Sequence, residues 1–516
     1  MRHKRRPFIP ILILLLAAAL HMGALTTYQR FHPDEAFFMT FARNAAVFGD
    51  GWLHGALDKP PLTIYLNAVS LSFLAVTSDQ NGVLQLDPYR GEFAARITGL
   101  WMALLWIAAL MRLAWALYED QHVARFMGLL AAGSPLIIAF SATAFMDMPM
   151  LLMVTLSLWG AAARRPAWSG TALILAFACK PQAIYFAPLI LVILLERKLQ
   201  QGTTWPSIGR HILRWSAPVL LGGALLAAWD IGRGETSVFV LGAANNLPQG
   251  SLWAERALWS DRFWEWLSSS QYLVGQASFV MLGIMLFYLG MSMIRQAPEA
   301  HWKRWDIVLL AWALGYNAFH IVTRQNIYDR YLLFLVIPLG LVAARSLTYL
   351  RRWNGAGRLL PVFGAVALLV ALSAYDAATG HVPIGGDRGT YNDIDTLAAY
   401  LNEQPVATVI YDRWLGWELG YYLGPWTNKR RVYYPTPTAL ADGAAALHEC
   451  GTRLFIAPQD QDVGPWLHAL EERHFQTALV KQVGRFAAYA VVPLCQTALT
   501  SRIYGWWGYG AGAGSS

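Results

Sequence analysis

The sequence is poor in charge. Of its 516 residues, 14% are Asp, Glu, Lys or Arg, whereas 56% are hydrophobic. About 25% of the residues in a soluble globular domain are charged, so this deficit excludes an ordinary soluble enzyme over most of the chain. The net charge of +8 comes mainly from basic turns between apolar runs, and we therefore expect no nucleic acid partner.

Cysteines, phosphate-binding loops and internal repeats are also scarce or missing. With only 3 cysteines, the chain has no framework for a structural metal site. Cys450 and Cys495 both lie in the polar tail and can pair if that compartment is oxidising. The tail has no glycine-rich loop of the kind that binds nucleotide phosphates. The lack of a repeat weakens an interpretation as an inverted-repeat transporter.

Long apolar runs dominate what is present. Runs of roughly 17–25 apolar residues predict a polytopic α-helical membrane protein with about 11 transmembrane helices. Residues 1–375 are then a membrane domain, and residues 376–516 are a separate soluble domain. The expected spans lie near 7–25, 93–111, 126–141, 148–163, 167–179, 181–195, 215–231, 272–294, 306–322, 331–346 and 359–375.

The positions of Lys and Arg predict the orientation in the membrane. All basic segments fall on one side if the apolar run 61–77 does not cross, so we expect this run to be a helix in the interface. The N-terminus is then cytoplasmic, and the first span stays uncleaved. The loop 26–92 and the tail face outward from the inner (cytoplasmic) membrane. The basic segments lie at 2–6, 112–125, 164–165, 197–214, 295–304 and 345–358.

The tail has the alternating pattern of a small α/β domain. Short apolar runs rich in β-branched and aromatic residues predict strands, and the stretches between them have helical periodicity. The expected strands are 406–411, 431–434, 453–457, 477–483 and 486–493, and the expected helices are 391–403, 416–423, 438–449 and 464–474.

Polar residues beside the spans concentrate on the outer side. Charged groups at a membrane surface are costly unless they are paired, solvated or used. We therefore expect these residues to converge on one lipid-accessible cavity, although independent loops can also produce such a distribution. The candidates are Asp34, Glu35, Asp58, Lys59, Asp147, Lys180, Arg324 and Arg330.

The acids suit proton transfer. Asp34 follows Pro33, which restricts the backbone and holds the carboxylate at the loop edge. It is the candidate general base for an incoming hydroxyl or amine, with a solvated acid or helix cap as the alternative. Glu35 either orients another group or caps the helix. Asp147 has either a catalytic role or an ordinary N-cap role before Pro149.

The basic residues suit a phosphate. Lys59 and Lys180 can clamp a leaving phosphate and stabilise its developing charge; the alternative is snorkelling to the headgroup level. Arg324 and Arg330 can grip phosphate in a bidentate manner or serve as plain outer anchors. Asp58 either binds a cation or pairs with Lys59.

Six motifs carry a resemblance to a known family. In order along the chain, they are HPDEAFF (32–38), FARNAAVFGDGWLHGALDKPPL (41–62), GEFAARITGL (91–100), SPLIIAFSATAFMDMP (134–149), ACKPQ (178–182) and YDRYLLFLVIPL (328–339). They resemble the lipid-dependent glycosyltransferases of the GT-C fold. The chain is most similar to the bacterial branch related to dolichyl-phosphate-mannose protein mannosyltransferases and to the aminoarabinose transferase of lipid A.

The resemblance implies transfer of a sugar from a polyprenyl-phosphate carrier to a lipid, glycan or protein acceptor outside the membrane. Asp34 matches the catalytic aspartate, Asp147 the second acidic position, and Lys59 and Lys180 the positions of the donor phosphate. Phe37 departs from the pattern, because the aminoarabinose transferases carry an arginine there. Asp58 likewise stands where they carry glutamate.

These departures argue for a different donor or acceptor. Metal dependence is open, because family members differ: the alternatives are no cofactor or a divalent cation.

Two functions from other classes also remain: a transporter or flippase for a lipid-linked or anionic substrate, and a non-catalytic assembly factor. A transporter favours charged or broken helices at mid-membrane, whereas the span interiors are nearly free of charge.

Overall fold

The computed structural model describes residues 8–27, 29–200, 204–247, 250–294, 300–353, 357, 359–386, 389–447 and 453–494. The expected pairing of Cys450 with Cys495 lies outside these residues. The chain divides into two compact units. The first comprises Met1–Tyr28 and Phe41–Arg388, and the second comprises Gln29–Thr40 and Gly389–Ser516.

In its described residues, the first unit consists of helices, one short hairpin and a single antiparallel bridge between Trp253 and Thr323. Strands β1 (Val76–Ser78) and β2 (Leu84–Leu86) pair antiparallel. Helix α2 (Pro33–Phe48) begins in the second unit and continues into the first. The other helices of the first unit are α1 (Phe8–Leu25), α3 (Leu62–Leu74), α4 (Pro88–Tyr118), α5 (Gln121–Ala132), α6 (Pro135–Ser141), α7 (Asp147–Ala162), α8 (Pro166–Cys179), α9 (Ala187–Gln200), α10 (Trp205–Gly232), α11 (Val238–Asn246), α12 (Trp259–Ser270), α13 (Ser278–Ile294), α14 (Ala300–Val322), α15 (Leu333–Trp353) and α16 (Leu360–Ala378).

Seven of the described helices are long and apolar enough to cross a membrane. The bent pair α5 and α6 gives up to eight spans, and the chain is thus a multi-pass membrane protein. The other three of the eleven expected spans fall on α7, α8 and α9, which are apolar but have only 16, 14 and 14 residues. Helix α3 has 13 residues and is about 20 Å long, shorter than the hydrocarbon core of about 30 Å.

Close packing around α4 positions the segment that leads into α7. At Gly99 of α4, an added Cβ would lie 2.6 Å from the carbonyl oxygen of Thr143. Only glycine permits that approach. Helix α7 packs on both α4 and α8. The start of α7 and the end of α8 are therefore held by the buried centre of the unit.

The second unit contains a five-stranded mixed sheet of order β4-β3-β5-β7-β6. Strand β3 is parallel to both β4 and β5, and β7 is antiparallel to β5 and β6. The strands are β3 (Val409–Asp412), β4 (Arg430–Tyr433), β5 (Arg453–Pro458), β6 (Phe475–Val483) and β7 (Phe486–Pro493), and the helices are α17 (Ile394–Glu403), α18 (Gly416–Tyr422), α19 (Pro437–Ala446) and α20 (Gly464–Glu472). The expected α/β domain is confirmed, strand by strand.

Candidate active site

A buried ion pair lies where α7 begins and α8 ends. Lys180 Nζ donates to Asp147 Oδ1 over 2.6 Å, and the side chains are only 5% and 2% exposed. Helix α8 stops at Lys180 because Pro181 follows, and the residue before a proline avoids the helical conformation; its φ and ψ are −154° and 124°. A buried ion pair is a weak source of stability, so its presence favours a functional role.

Positive charge accumulates around Lys180. Burial lowers the pKa of Lys180 from 10.5 to about 8, while the carboxylate of Asp147 opposes this shift. Arg330 and Lys59 add to the lowering, which places three cations within electrostatic reach of one another. The ammonium of Lys180 also lies 5.4 Å from the ring centre of Tyr331. Such a cluster suits an anion, because the bound charge offsets the mutual repulsion.

The loop before α3 positions Lys59. Its ammonium donates to Asp58 Oδ2 over 2.8 Å, and Asn245 donates to the same oxygen over 3.2 Å. Arg233 is buried and donates to the carbonyl oxygens of Leu53 and Gly55 over 2.9 and 2.6 Å. The segment carrying Lys59 is thus fastened to α10 and α11. Asp58 pairs with Lys59, as one of the two interpretations expected.

Asp58 keeps one carboxylate oxygen for other partners. Its Oδ1 is buried and has no hydrogen-bond partner among the described residues. An unsatisfied buried acceptor is costly, so a hydroxyl donor from a substrate would stabilise it.

The two candidate arginines differ in their surroundings. The guanidinium of Arg330 lies 5.7 Å from the ring centre of Phe145 and 5.0 Å from that of Tyr328, and it acts on Lys180 as described above. Arg324 instead pairs with Glu255 over 3.3 Å, with side chains 39% and 72% exposed. Exposed pairs of this kind contribute little. The structure therefore groups Arg330, but not Arg324, with Lys59 and Lys180. We call these three cations the lysine cluster.

The second unit carries Asp34 and Glu35 on the first turn of α2. Glu35 is buried, and its Oε2 accepts from the backbone N–H of His32 over 3.0 Å. His32 Nδ1 in turn accepts from the backbone N–H of Asp34 over 3.1 Å. With Pro33 at the first helical position, this is a reciprocal cap. Glu35 therefore caps the helix, and the carboxylate of the half-buried Asp34 is not needed for that role.

Three residues that contact Lys180 or the segment carrying Lys59 were not predicted from the sequence. Tyr331 lies within the motif 328–339, where its neighbour Arg330 drew the attention. Arg233 follows α10 and Asn245 lies at the end of α11, and they contact residues 180 and 187 positions earlier in the chain. No local pattern signals such contacts.

Among the described residues, no group of three or more His, Cys, Asp or Glu side chains could hold a metal ion.

Solved structures resemble the chain, among them two that match most of its length. ArnT from Cupriavidus metallidurans, solved bound to undecaprenyl phosphate, covers 93% of this chain and 97% of its own length at 15% identity, with a TM-score of 0.61. The chain has the GT-C fold. The apo oligosaccharyltransferase of Archaeoglobus fulgidus matches 95% of this chain and 76% of its own at 11% identity, with a TM-score of 0.52. No protein-family model matches the chain, and no curated protein matches its sequence.

Proposed function

We propose that this GT-C protein is a membrane glycosyltransferase that moves a sugar from a polyprenyl-phosphate carrier to an acceptor. The acceptor is a lipid, a glycan or a protein on the outer face of the cytoplasmic membrane, with the N-terminus cytoplasmic. The observation that carries the proposal is the buried Lys180–Asp147 pair, with Lys59 and Arg330 acting on it. The undecaprenyl phosphate bound to ArnT supports the choice of carrier.

The carrier phosphate takes the lysine cluster. Its prenyl tail lies in lipid, while Lys59 and Lys180 neutralise the phosphate oxygens and Arg330 adds a planar donor fork. Asp147 keeps Lys180 in place and charged. Asp58 Oδ1 accepts a hydrogen bond from a sugar hydroxyl.

The chemistry is a single displacement. Asp34 removes the proton from the acceptor hydroxyl or amine as that atom attacks the anomeric carbon. The bond from the anomeric carbon to the phosphate oxygen breaks, and its electron pair leaves with the polyprenyl phosphate. The lysines stabilise the negative charge that develops on this leaving group. One displacement inverts the anomeric configuration.

Product analysis tests this function. Membranes containing the protein are incubated with radiolabelled polyprenyl-phosphate sugars, and the labelled product is isolated and its anomeric configuration determined. We expect a labelled, inverted glycoside from at least one donor. A product that retains the anomeric configuration would contradict the single displacement. A requirement for a nucleotide sugar as donor would contradict the polyprenyl-phosphate carrier.

The two arginines provide a matched pair of variants. Arg330→Met removes a cation from the lysine cluster, and we expect transfer to fall about tenfold or more, as for loss of a hydrogen bond to a charged group. Arg324→Met removes the same charge from an exposed pair and is expected to leave transfer unchanged. If both variants lower the transfer rate equally, Arg330 has no specific role in binding the phosphate.

A further inference from the structure

The segment that carries Asp34 packs within the C-terminal unit. Phe31 is fully buried, with its ring centre 4.9 Å from that of Tyr421 and 6.5 Å from that of Tyr422. Its backbone N–H donates to the hydroxyl of Tyr422 over 2.7 Å. These partners are separated by 391 residues along the chain. The residue three positions before Asp34 is therefore anchored by α18.

Residues C-terminal to Asp34 also contact α18. The ring of Phe37 lies 3.7 Å from that of Trp417, centre to centre. At Gly420, an added Cβ would lie 3.4 Å from Thr40 Oγ1, so this face of α18 is in direct contact with α2. Asp34 is thus bracketed by α18 contacts at Phe31 and at Phe37. A side chain held on both sides has little freedom to shift along the helix axis.

A second attachment involves α17 and the turn before it. Arg30 forms an ion pair with Asp395 over 3.5 Å, with both side chains less than a fifth exposed. The backbone N–H of Arg30 donates to Asn392 Oδ1 over 3.1 Å. The polar contacts fix direction as well as distance, whereas the aromatic contacts mainly exclude water.

Helix α18 is itself tied to the centre of the sheet. Asp412 ends β3, the strand between β4 and β5, and is buried. Its Oδ1 accepts from the backbone N–H groups of Trp414 and Leu415 over 3.0 and 2.8 Å. The turn into α18 therefore cannot swing without breaking a buried hydrogen-bond set. Packed groups therefore connect the sheet through α18 to Phe31 and Phe37, which lie on either side of Asp34.

We propose that the C-terminal α/β domain is a positioning device for Asp34, with Tyr422 and Trp417 as positioning residues for the proton-transfer step. This inference rests on the proposed function, since it takes Asp34 as the base. Catalytic groups must be held to within a fraction of an ångström, and a misplacement of about 1 Å can cost roughly a hundredfold in rate. An unattached α2 start would lack that precision, because helix ends fray.

The test compares Trp417→Ala and Tyr422→Phe with Tyr433→Phe. Tyr433 belongs to the same domain, is 57% exposed and contacts Arg413, so its variant is the matched control. We expect kcat for sugar transfer to fall about tenfold to a hundredfold in Trp417→Ala and less in Tyr422→Phe. Trp417→Phe retains a ring and should recover most of the rate. The affinity for undecaprenyl phosphate should stay at the wild-type value in every variant.

The pH profile of kcat separates positioning from general damage. The rise of kcat with pH that follows deprotonation of the general base should become smaller in Trp417→Ala, while the affinity for undecaprenyl phosphate and the thermal unfolding temperature stay unchanged. Wild-type kcat in both test variants, or a parallel loss of kcat, carrier affinity and thermal stability, would overturn the inference.

A second comparison distinguishes this inference from the proposed function. In an Asp34→Asn background, adding Trp417→Ala should lower the residual rate no further, because the two side chains act through one step. Full transfer by Asp34→Asn alone would reject the proposed function. Loss of transfer in Asp34→Asn with normal transfer in Trp417→Ala would reject only the positioning role.

Discussion

Removing the ammonium of Lys180 should damage stability and function by separable amounts. Lys180→Met leaves Asp147 buried and without its partner, in a pair only 5% and 2% exposed. Breaking such a pair from one side costs about 3–5 kcal/mol of unfolding free energy. The same variant removes a charge-assisted hydrogen bond to the carrier phosphate, which is worth about 1.5–3 kcal/mol, or roughly a tenfold to hundredfold loss of affinity.

The double variant Asp147→Asn with Lys180→Met separates the two effects. It removes both charges, so the desolvation penalty disappears together with the attraction, and we expect unfolding near the wild-type temperature. Binding of undecaprenyl phosphate and sugar transfer should stay lost, because no ammonium is present. The assays are thermal unfolding in detergent and carrier binding on the same samples. Recovery of binding in the double variant would refute the reasoning, since the pair would then be purely structural.

Two further predictions concern the same cluster. Because the pKa of Lys180 is lowered to about 8, its charge is present below that pH and lost above it, so affinity for undecaprenyl phosphate should fall between about pH 8 and 10. The variant Lys180→Arg stays charged and should bind with the same affinity across that range. If its affinity falls as in the wild type, Lys180 is not the group that titrates. Asn245→Ala removes the second donor to Asp58 and should lower the transfer rate severalfold, as for loss of one hydrogen bond of about 1 kcal/mol. The control is Asn246→Ala, because the Asn246 amide bonds within its own helix, and this variant should transfer like the wild type. A larger loss in Asn246→Ala than in Asn245→Ala would contradict this role of Asn245.

The C-terminal domain was predictable because its signals are local. Each strand is a short apolar run bounded by turn residues, and the predicted runs 453–457 and 486–493 match β5 and β7 almost residue for residue. The membrane helices were predictable as apolar runs, but α7 and α8 have only 16 and 14 residues. A run of 14–16 apolar residues can be a buried helix as readily as a span.

The site was predictable in its residue types and less so in its groupings. Asp147 and Lys180 were expected to share a cavity, and the adjacent helices α7 and α8 bring them into direct contact. Glu35 had two interpretations, and its position three residues after His32 fits the capping one. The attachment of residues 29–40 to the C-terminal unit depends on contacts between positions almost 400 residues apart, for which the sequence contains no periodic signal.

Sugar transfer by Asp34→Asn is the measurement that tests the account most directly. The variant is purified, shown to unfold like the wild type and to bind undecaprenyl phosphate with unchanged affinity, and then supplied with the labelled donor that the wild type uses. We predict transfer at least a hundredfold slower, the lower range for loss of a general base. Transfer at the wild-type rate would contradict a mechanism in which this carboxylate takes the acceptor's proton.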